Sequence, residues 1–361
     1  MRLIQALPEG PLDIVGDIHG EYQALLNLLQ QLGYDKDGKH AQQRTLVFIG
    51  DMFDRGPQCP QVFEHIRHLI DQGHAQAILG NHELNVLRHD PKDGTGWFFE
   101  QRVQSDTPKY APFERASAAQ RQAINEWLNQ RPIALEREDL RIVHAAWIPK
   151  AIEALRDEPI GQIVSVYDQW MKVVEQKQNE PDLLARLQQE KKDWPHSIED
   201  ITVTPPYSPA RAQTQVLKQS MNPINSCLSG LEAEIQTPFY VSGKWRFTDR
   251  LAWWDHYDDK VPVLIGHYWR HCRPVPPTPF NRKTRDIFKG ISPFAWHGKH
   301  HNVFCIDYSV GGRWIERKEN WPLGSYFRLA AMQWPEKRLV FEDGVVIDTH
   351  PQQAKAEESI G

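Results

Sequence analysis

Apolar runs in the first part of the chain are short, and several stop at a glycine followed at once by acidic, imidazole or amide side chains. The first is Asp13-Ile14-Val15-Gly16-Asp17-Ile18-His19-Gly20. It predicts a buried strand that ends abruptly, with Gly20 permitting a tight turn. Tyr22, Leu25, Leu26, Leu29 and Leu32 then recur at three- and four-residue spacing, which predicts a helix with one apolar face. After a polar loop over 35–44, Thr45 to Ile49 predicts a second strand, running into Gly50-Asp51-Met52-Phe53-Asp54-Arg55-Gly56-Pro57. A helix follows over 60–71, with Val62, Phe63, Ile66, Leu69 and Ile70 on one side. A third strand, 75–79, ends in Gly80-Asn81-His82-Glu83. Three rounds of strand, glycine-bounded turn and helix imply parallel βα units. Their polar turns lie at the carboxyl ends of the strands, where open α/β sheets place their sites.

Further on, 90–112 reads as a loop apart from Trp97-Phe98-Phe99, 116–130 as a helix, and 140–143 as a strand entering His144-Ala145-Ala146-Trp147. The character then changes. Residues 151–192 are charged and helical in composition, and 194–225 are broken by five prolines and expected to be irregular. An aromatic-basic segment, 239–247, and Trp253-Trp254 follow. A strand over 261–265 ends in Gly266-His267, another is expected over 302–308, and three antiparallel strands over 326–332, 338–341 and 345–348. The expected division is a core of 1–149 and 261–349, an insertion of 150–260 able to cap a cleft, and a tail of 350–361.

Composition narrows the function classes. A net charge of −5 offers no basic excess to displace counterions, which argues against a general nucleic-acid or acidic-membrane binder. A hydrophobic fraction of 40% is ample for a core, and most of the 13 tryptophans are expected there or in surface grooves. Cys59, Cys227, Cys272 and Cys305 are scattered, form no Cys-x-x-Cys pair and fit a reducing compartment. With no apolar run of membrane-spanning length, a cytoplasmic location is expected.

The chemistry is carried by polar residues at five strand ends: Asp17, His19, Asp51, Asn81, His144 and His267. Two carboxylates, three imidazoles and an amide carbonyl suit a pair of divalent cations, manganese first, with iron, zinc or cobalt as alternatives. Asp51 is the natural bridge, since its carboxylate can offer an oxygen to each ion. Two carboxylates neutralise only half the charge of such a pair. The surplus suits hydroxide plus an anionic substrate, and ions about 3.5–4 Å apart favour in-line attack on phosphorus. Singly, each residue has a plain structural explanation as a turn aspartate, a satisfied histidine or a surface ion pair. His300-His301, outside any motif, reads as a solvated loop.

GDIHG, GDMFDRG, LGNHE, VHAAW and IGHYW together resemble the ordered motifs of calcineurin-like metallophosphoesterases. The likeness covers roughly 12–149 and 260–310 and leans toward the serine/threonine phosphoprotein phosphatases and the bacterial symmetrical dinucleoside-tetraphosphate hydrolases. It implies an α/β fold of two packed mixed β-sheets flanked by helices. It also implies Asp17, His19 and Asp51 on one metal, and Asp51, Asn81, His144 and His267 on the other. His82 becomes the general acid, oriented by Asp54, and Arg55 the phosphate ligand. Trp269 stands where many relatives carry a second histidine, and Ala145-Ala146 where glycines are frequent.

The resemblance implies a dinuclear phosphoesterase acting on phosphomonoesters, including phosphoserine or phosphothreonine in proteins. Dinucleoside polyphosphates are the alternative substrate, and an inactive phospho-binding scaffold is the reading from another class. The expected partner is a phosphorylated substrate, whether phosphoprotein, nucleotide or small phosphoester. Within the insertion, Arg246 is the expected second phosphate ligand, with Arg250 in reserve.

Overall fold

Runs that were expected to be strands form the centres of two sheets in the computed structural model, which describes residues 1–241, 243–280 and 286–351. In chain order, β1 (Ile4–Ala6) and β2 (Leu12–Val15) precede α1 (Tyr22–Leu32). Next come β3 (Thr45–Phe48), α2 (Cys59–Asp71), β4 (Ala75–Ala77) and α3 (Asn81–Leu87). α4 (Glu100–Tyr110) and α5 (Ala118–Leu128) lead to the hairpin of β5 (Ala134–Arg137) and β6 (Leu140–Val143). Five helices follow: α6 (Pro149–Leu155), α7 (Ile163–Gln178), α8 (Pro181–Asp193), α9 (Pro209–Met221) and α10 (Pro223–Ser229). A second hairpin, β7 (Glu232–Val241) and β8 (Lys244–Arg250), precedes β9 (Val263–Ile265), β10 (Ala295–Trp296) and β11 (Val303–Cys305). The chain closes with α11 (Arg313–Glu319), β12 (Ala330–Trp334), β13 (Arg338–Phe341), β14 (Val346–Asp348) and β15 (His350–Pro351).

One sheet has the order β14-β13-β12-β2-β3-β4, the other β1-β5-β6-β9-β11. β2, β3 and β4 are parallel, and β12 closes on β2 antiparallel, Ala331 opposite Val15. In the second sheet β6, β9 and β11 are parallel. The two sheets pack face to face through Leu12, Ile14, Val47 and Ile49 on one side and Ile142, Leu264, Phe304 and Ile306 on the other. The alternate positions Val15, Leu46 and Phe48 face Leu25 and Leu28 of α1 and Val62, Phe63 and Ile66 of α2. Both faces are covered, which is why these strands read as continuous apolar runs rather than alternating ones. This is the expected mixed α/β fold, with the ends of β2, β3, β4, β6 and β9 brought together.

Buried Arg44 ties β2 to β12. Its Nε lies 3.0 Å from Asp13 Oδ1, its Nη2 donates to Leu12 O at 2.6 Å, and its Nη1 to Glu336 at 2.8 Å.

Some local expectations differ from what the fold contains. The stretch 90–112 was expected to be a loop but holds α4, whose buried residues are only Asp106 and Tyr110, so no apolar stripe announced it. The stretch 194–225, which its prolines mark as irregular, holds α9 and the start of α10. Pro209 and Pro223, which look like breakers, stand at the first helical positions, where a missing N–H costs nothing. Asn222 caps α10, its side chain accepting from Ile224 N at 3.1 Å. The four cysteines are free. Among the described residues no helix is long and apolar enough to cross a membrane. Of the expected tail, 352–361 lie outside the described residues, as does Ser242 of the aromatic-basic segment.

Candidate metal centre

The five strand ends meet where the polypeptide is locally strained. His19, Asp51, Asp54, Arg55, His267 and Trp269 all have positive φ, between 47° and 73°. Non-glycine residues held this way cost of order 1–3 kcal/mol each and gather at functional sites. Glycines let the loops cross. A Cβ at Gly266 would fall 2.1 Å from Asp17 Oδ1, and one at Gly80 2.2 Å from Asp51 Oδ1. Backbone bonds join the first two loops, with Ile18 N and His19 N both donating to Asp51 O at 3.0 and 2.9 Å.

Asp51 stands in the middle. His144 Nε2 lies 3.3 Å from its Oδ1, while His19 Nε2 and His82 Nε2 each lie 3.8 Å from its Oδ2. Two donor groups therefore share this one carboxylate: His19, Asp51 and His82, and Asp51, His144 and His267, each with its ligand atoms within 4.8 Å of one another. Asn81 Oδ1 lies 2.8 Å from His267 Nδ1, which adds the amide to the second group. Asp17 Oδ2 accepts from His267 N at 3.1 Å.

The ring orientations suit metal ligation. His19 Nδ1 faces Phe53 O at 3.0 Å and His144 Nδ1 faces Ile49 O at 2.9 Å. A carbonyl accepting from Nδ1 puts the lone pair on Nε2, the atom that turns toward Asp51 in both rings. Two atoms are conspicuous here: Asp17 Oδ1 and His144 Nε2 are buried and have no hydrogen-bond partner among the described residues. Burial, with Asp307 next, pushes the Asp17 carboxyl well above the usual range. Burial opposes charge on Asp51 too, yet His144, His82 and His19 hold its carboxyl well below the usual range. His19 is held well below the ordinary imidazole value by burial and then Arg55, and His267 by burial and then Arg250. At His144 burial opposes charge, but the adjoining Asp51 carboxylate raises the imidazole to about 10. Neutral His19 and His267, the orphaned Asp17 oxygen and a carboxylate shared with His144 form a donor set that fits divalent cations, whose binding would take the proton from His144.

A second cluster borders the first. His82 Nδ1 is 2.5 Å from Asp54 Oδ2, and the other Asp54 oxygen accepts from Trp97 Nε1 at 2.5 Å. Arg55 sends Nη1 to His19 Nε2 and Nη2 to His82 Nε2, both at 3.0 Å, and its Cζ lies 5.0 Å from the Trp269 ring centroid.

Three residues with supporting roles escaped the sequence reading. Glu83 accepts from Asp51 N at 2.8 Å, Met52 N at 2.9 Å and Gly80 N at 2.8 Å, which fastens the second strand-end loop to the third. Burial, then Asp51, pushes its carboxyl up to about 7. Asp307, buried at the end of β11, accepts from Trp269 N at 2.8 Å and Ser309 N at 2.7 Å and so shapes the His267 loop. Its position, an acid ending a strand as in Asp17 and Asp51, was a usable signal. Trp97 gave none, because nothing in the sequence joins it to Asp54.

Of the two hairpin arginines, Arg250 is the one whose charge acts on His267, and its Cζ lies 5.5 Å from the Tyr268 ring. Arg246 sits further along β8, beside Glu232 and Arg250.

The fold and this donor set define a metallophosphoesterase architecture. The chain belongs to the calcineurin-like phosphoesterase family, whose model matches residues 10–202. It is 44% identical over 80 residues to the asymmetrical bis(5'-nucleosyl)-tetraphosphatase PrpE of Bacillus velezensis, covering 21% of this chain and 32% of that one. It is 28% identical over 177 residues to a symmetrical bis(5'-nucleosyl)-tetraphosphatase of Vibrio cholerae, covering 47% of this chain and 58% of that one. The chain thus spans about a third to three-fifths of the length of these relatives. A solved cold-active protein-tyrosine phosphatase of a psychrophilic Shewanella is similar at 16% identity and a TM-score of 0.46, covering 96% of this chain and 83% of that one.

Proposed function

We propose that the chain is a dinuclear metal-dependent phosphoester hydrolase, with dinucleoside polyphosphates as its leading substrate class. One observation carries the hydrolytic reading: Asp51 has His144 at one carboxylate oxygen and His19 at the other, with His82 and Arg55 alongside. Asp17, His19 and Asp51 would hold one divalent ion; Asp51, Asn81, His144 and His267 would hold the other. When bound, such ions supply Lewis acidity at the phosphoryl group and lower the pKa of water.

The protein's own groups do the rest. Arg55, planar and always charged, grips phosphate oxygens. His82, through Nε2, gives a proton to the departing oxygen as that oxygen takes the electron pair of its bond to phosphorus. Asp54 holds Nδ1–H of the same ring and stabilises the imidazolium, while Trp97 fixes Asp54. Arg55 Nη2 lies 3.0 Å from His82 Nε2, so the phosphate grip and the proton donor stand side by side. The segment 150–260 serves as a cap whose β7–β8 hairpin brings Arg250 beside His267.

The relatives' names support the dinucleoside reading. The second reading, phosphomonoesters including phosphoserine and phosphothreonine, draws on the His82–Asp54 pair, because a serine alkoxide needs a proton to leave and a nucleotide needs little. A panel with added Mn²⁺ separates them: diadenosine tetraphosphate, phosphopeptides and p-nitrophenyl phosphate. The expected result is a kcat/KM for diadenosine tetraphosphate at least tenfold above the others, abolished by chelator. Absence of turnover on every substrate with Mn²⁺, Fe²⁺, Zn²⁺ or Co²⁺ would overturn the reading.

A further inference from the structure

The β7–β8 hairpin sets a row of cations along one strand, with Arg250 at the end nearest the metal centre. Lys244, Arg246, Thr248 and Arg250 are alternate residues of β8, so their side chains leave the same face of the strand. Other hairpin side chains are engaged elsewhere. Trp245 Nε1 donates to Asp200 O at 2.8 Å and Tyr240 Oη to Glu199 O at 2.9 Å. Among the described residues, Lys244, Arg246 and Arg250 make no ion pair within 4 Å, and neither does Lys218 of α9.

One end of this row reaches the site and the other joins a cluster of lysines. At one end Arg250 lies over Tyr268, whose ring centroid is 5.0 Å from that of His267. At the other, Lys244 lies in the field of Arg246, Lys92 and Lys218, opposed by Glu199. Lys92, paired with Asp90 at 2.7 Å, belongs to the loop whose Gly94 O accepts from Arg55 N at 3.0 Å. Three carboxylates belong to the hairpin and each is engaged: Glu232, opposite Arg250, accepts from Thr248, Glu234, opposite Thr248, accepts from Tyr207, and Asp249 accepts from Arg250 N at 2.8 Å. Burial, with the like charge of Arg246 at Lys244 and of Arg250 at Arg246, holds both below their ordinary values even though Glu199 and Glu232 oppose it. From Lys244 to Arg250 the strand runs about 20 Å, long enough to follow several linked phosphates.

We infer that the basic face of β8, with Lys218 and Lys92, is an anion track that binds the phosphate chain beyond the scissile phosphorus, so that the site selects polyphosphate over single-phosphate substrates. The inference rests on the phosphoester reading for its catalytic meaning, but binding tests it without turnover. Calorimetric titration of the full chain with inorganic tripolyphosphate and, separately, orthophosphate is the experiment, on wild type, K218Q/K244Q and K218R/K244R. Tripolyphosphate binding should weaken tenfold or more in the glutamine pair, orthophosphate binding less than threefold, and the arginine pair should restore most of the difference. Equal weakening of both anions, or no weakening of tripolyphosphate, overturns the track. If the wild type hydrolyses nothing yet shows this pattern, the hydrolase reading fails and the track stands.

Discussion

Trp97→Phe isolates the positioning of the proposed acid. Asp54 is fully buried and has one side-chain bond per oxygen, to His82 Nδ1 and to Trp97 Nε1, each 2.5 Å. Phenylalanine keeps an aromatic ring against Phe53, now 5.4 Å away centroid to centroid, and removes only the N–H donor and part of the indole. A hydrogen bond to a charged acceptor is worth about 1.5–3 kcal/mol net. At roughly 1.4 kcal/mol per tenfold, full transmission to the transition state lowers kcat by about 10- to 100-fold. The loss should depend on the leaving group: large for alkyl phosphates, small for p-nitrophenyl phosphate, whose oxygen leaves without help. The assay is steady-state hydrolysis of a leaving-group series with Mn²⁺, run beside thermal unfolding of each variant. Equal losses along the series, tracking a lowered Tm, would show that Trp97 only packs, and the link through Asp54 to His82 would be refuted.

Three further outcomes follow from the same geometry. His82→Asn should retain two metal ions per chain by elemental analysis while slowing alkyl phosphate hydrolysis about 10²–10⁴-fold; loss of one ion would make His82 a ligand instead. Asp51→Asn should lower metal content and remove most activity, and two tightly held ions with near wild-type turnover would contradict the shared carboxylate. Arg44→Met leaves Asp13 buried without its cation, so denaturant unfolding should show about 3–5 kcal/mol lost stability; a change under 1 kcal/mol would show that Asp13 is protonated in the fold.

The candidate site was legible because its residues sit where periodicity breaks. The runs ending at Asp17, Asp51, Asn81, His144 and His267 are doubly covered strands, so each reads as an apolar block with a sharp polar edge. Less visible were elements whose burial does not show as a stripe. Besides Tyr110, α4 buries only Asp106, whose carboxylate accepts from Gly94 N at 3.1 Å and Gly96 N at 2.8 Å. Pro209 and Pro223 were read as interruptions because a proline's effect depends on whether it starts a helix or falls inside one. The partnership of Trp97 with Asp54, 43 residues apart, is set only by tertiary packing. The hairpin was visible as an aromatic-basic segment, but Arg246 and Arg250 leave the same face of β8, and which of them lies nearer the site depends on where the strand passes Tyr268, a tertiary contact that falls at Arg250.

The central claim is that Asp51 is shared by two divalent ions. Anomalous diffraction at the manganese edge from crystals grown with Mn²⁺ tests it most directly. The account predicts two peaks about 3.5–4 Å apart, one on each side of the Asp51 carboxylate. One ligand set should be Asp17 and His19, the other Asn81, His144 and His267. A single peak, or peaks that do not touch Asp51, would contradict it.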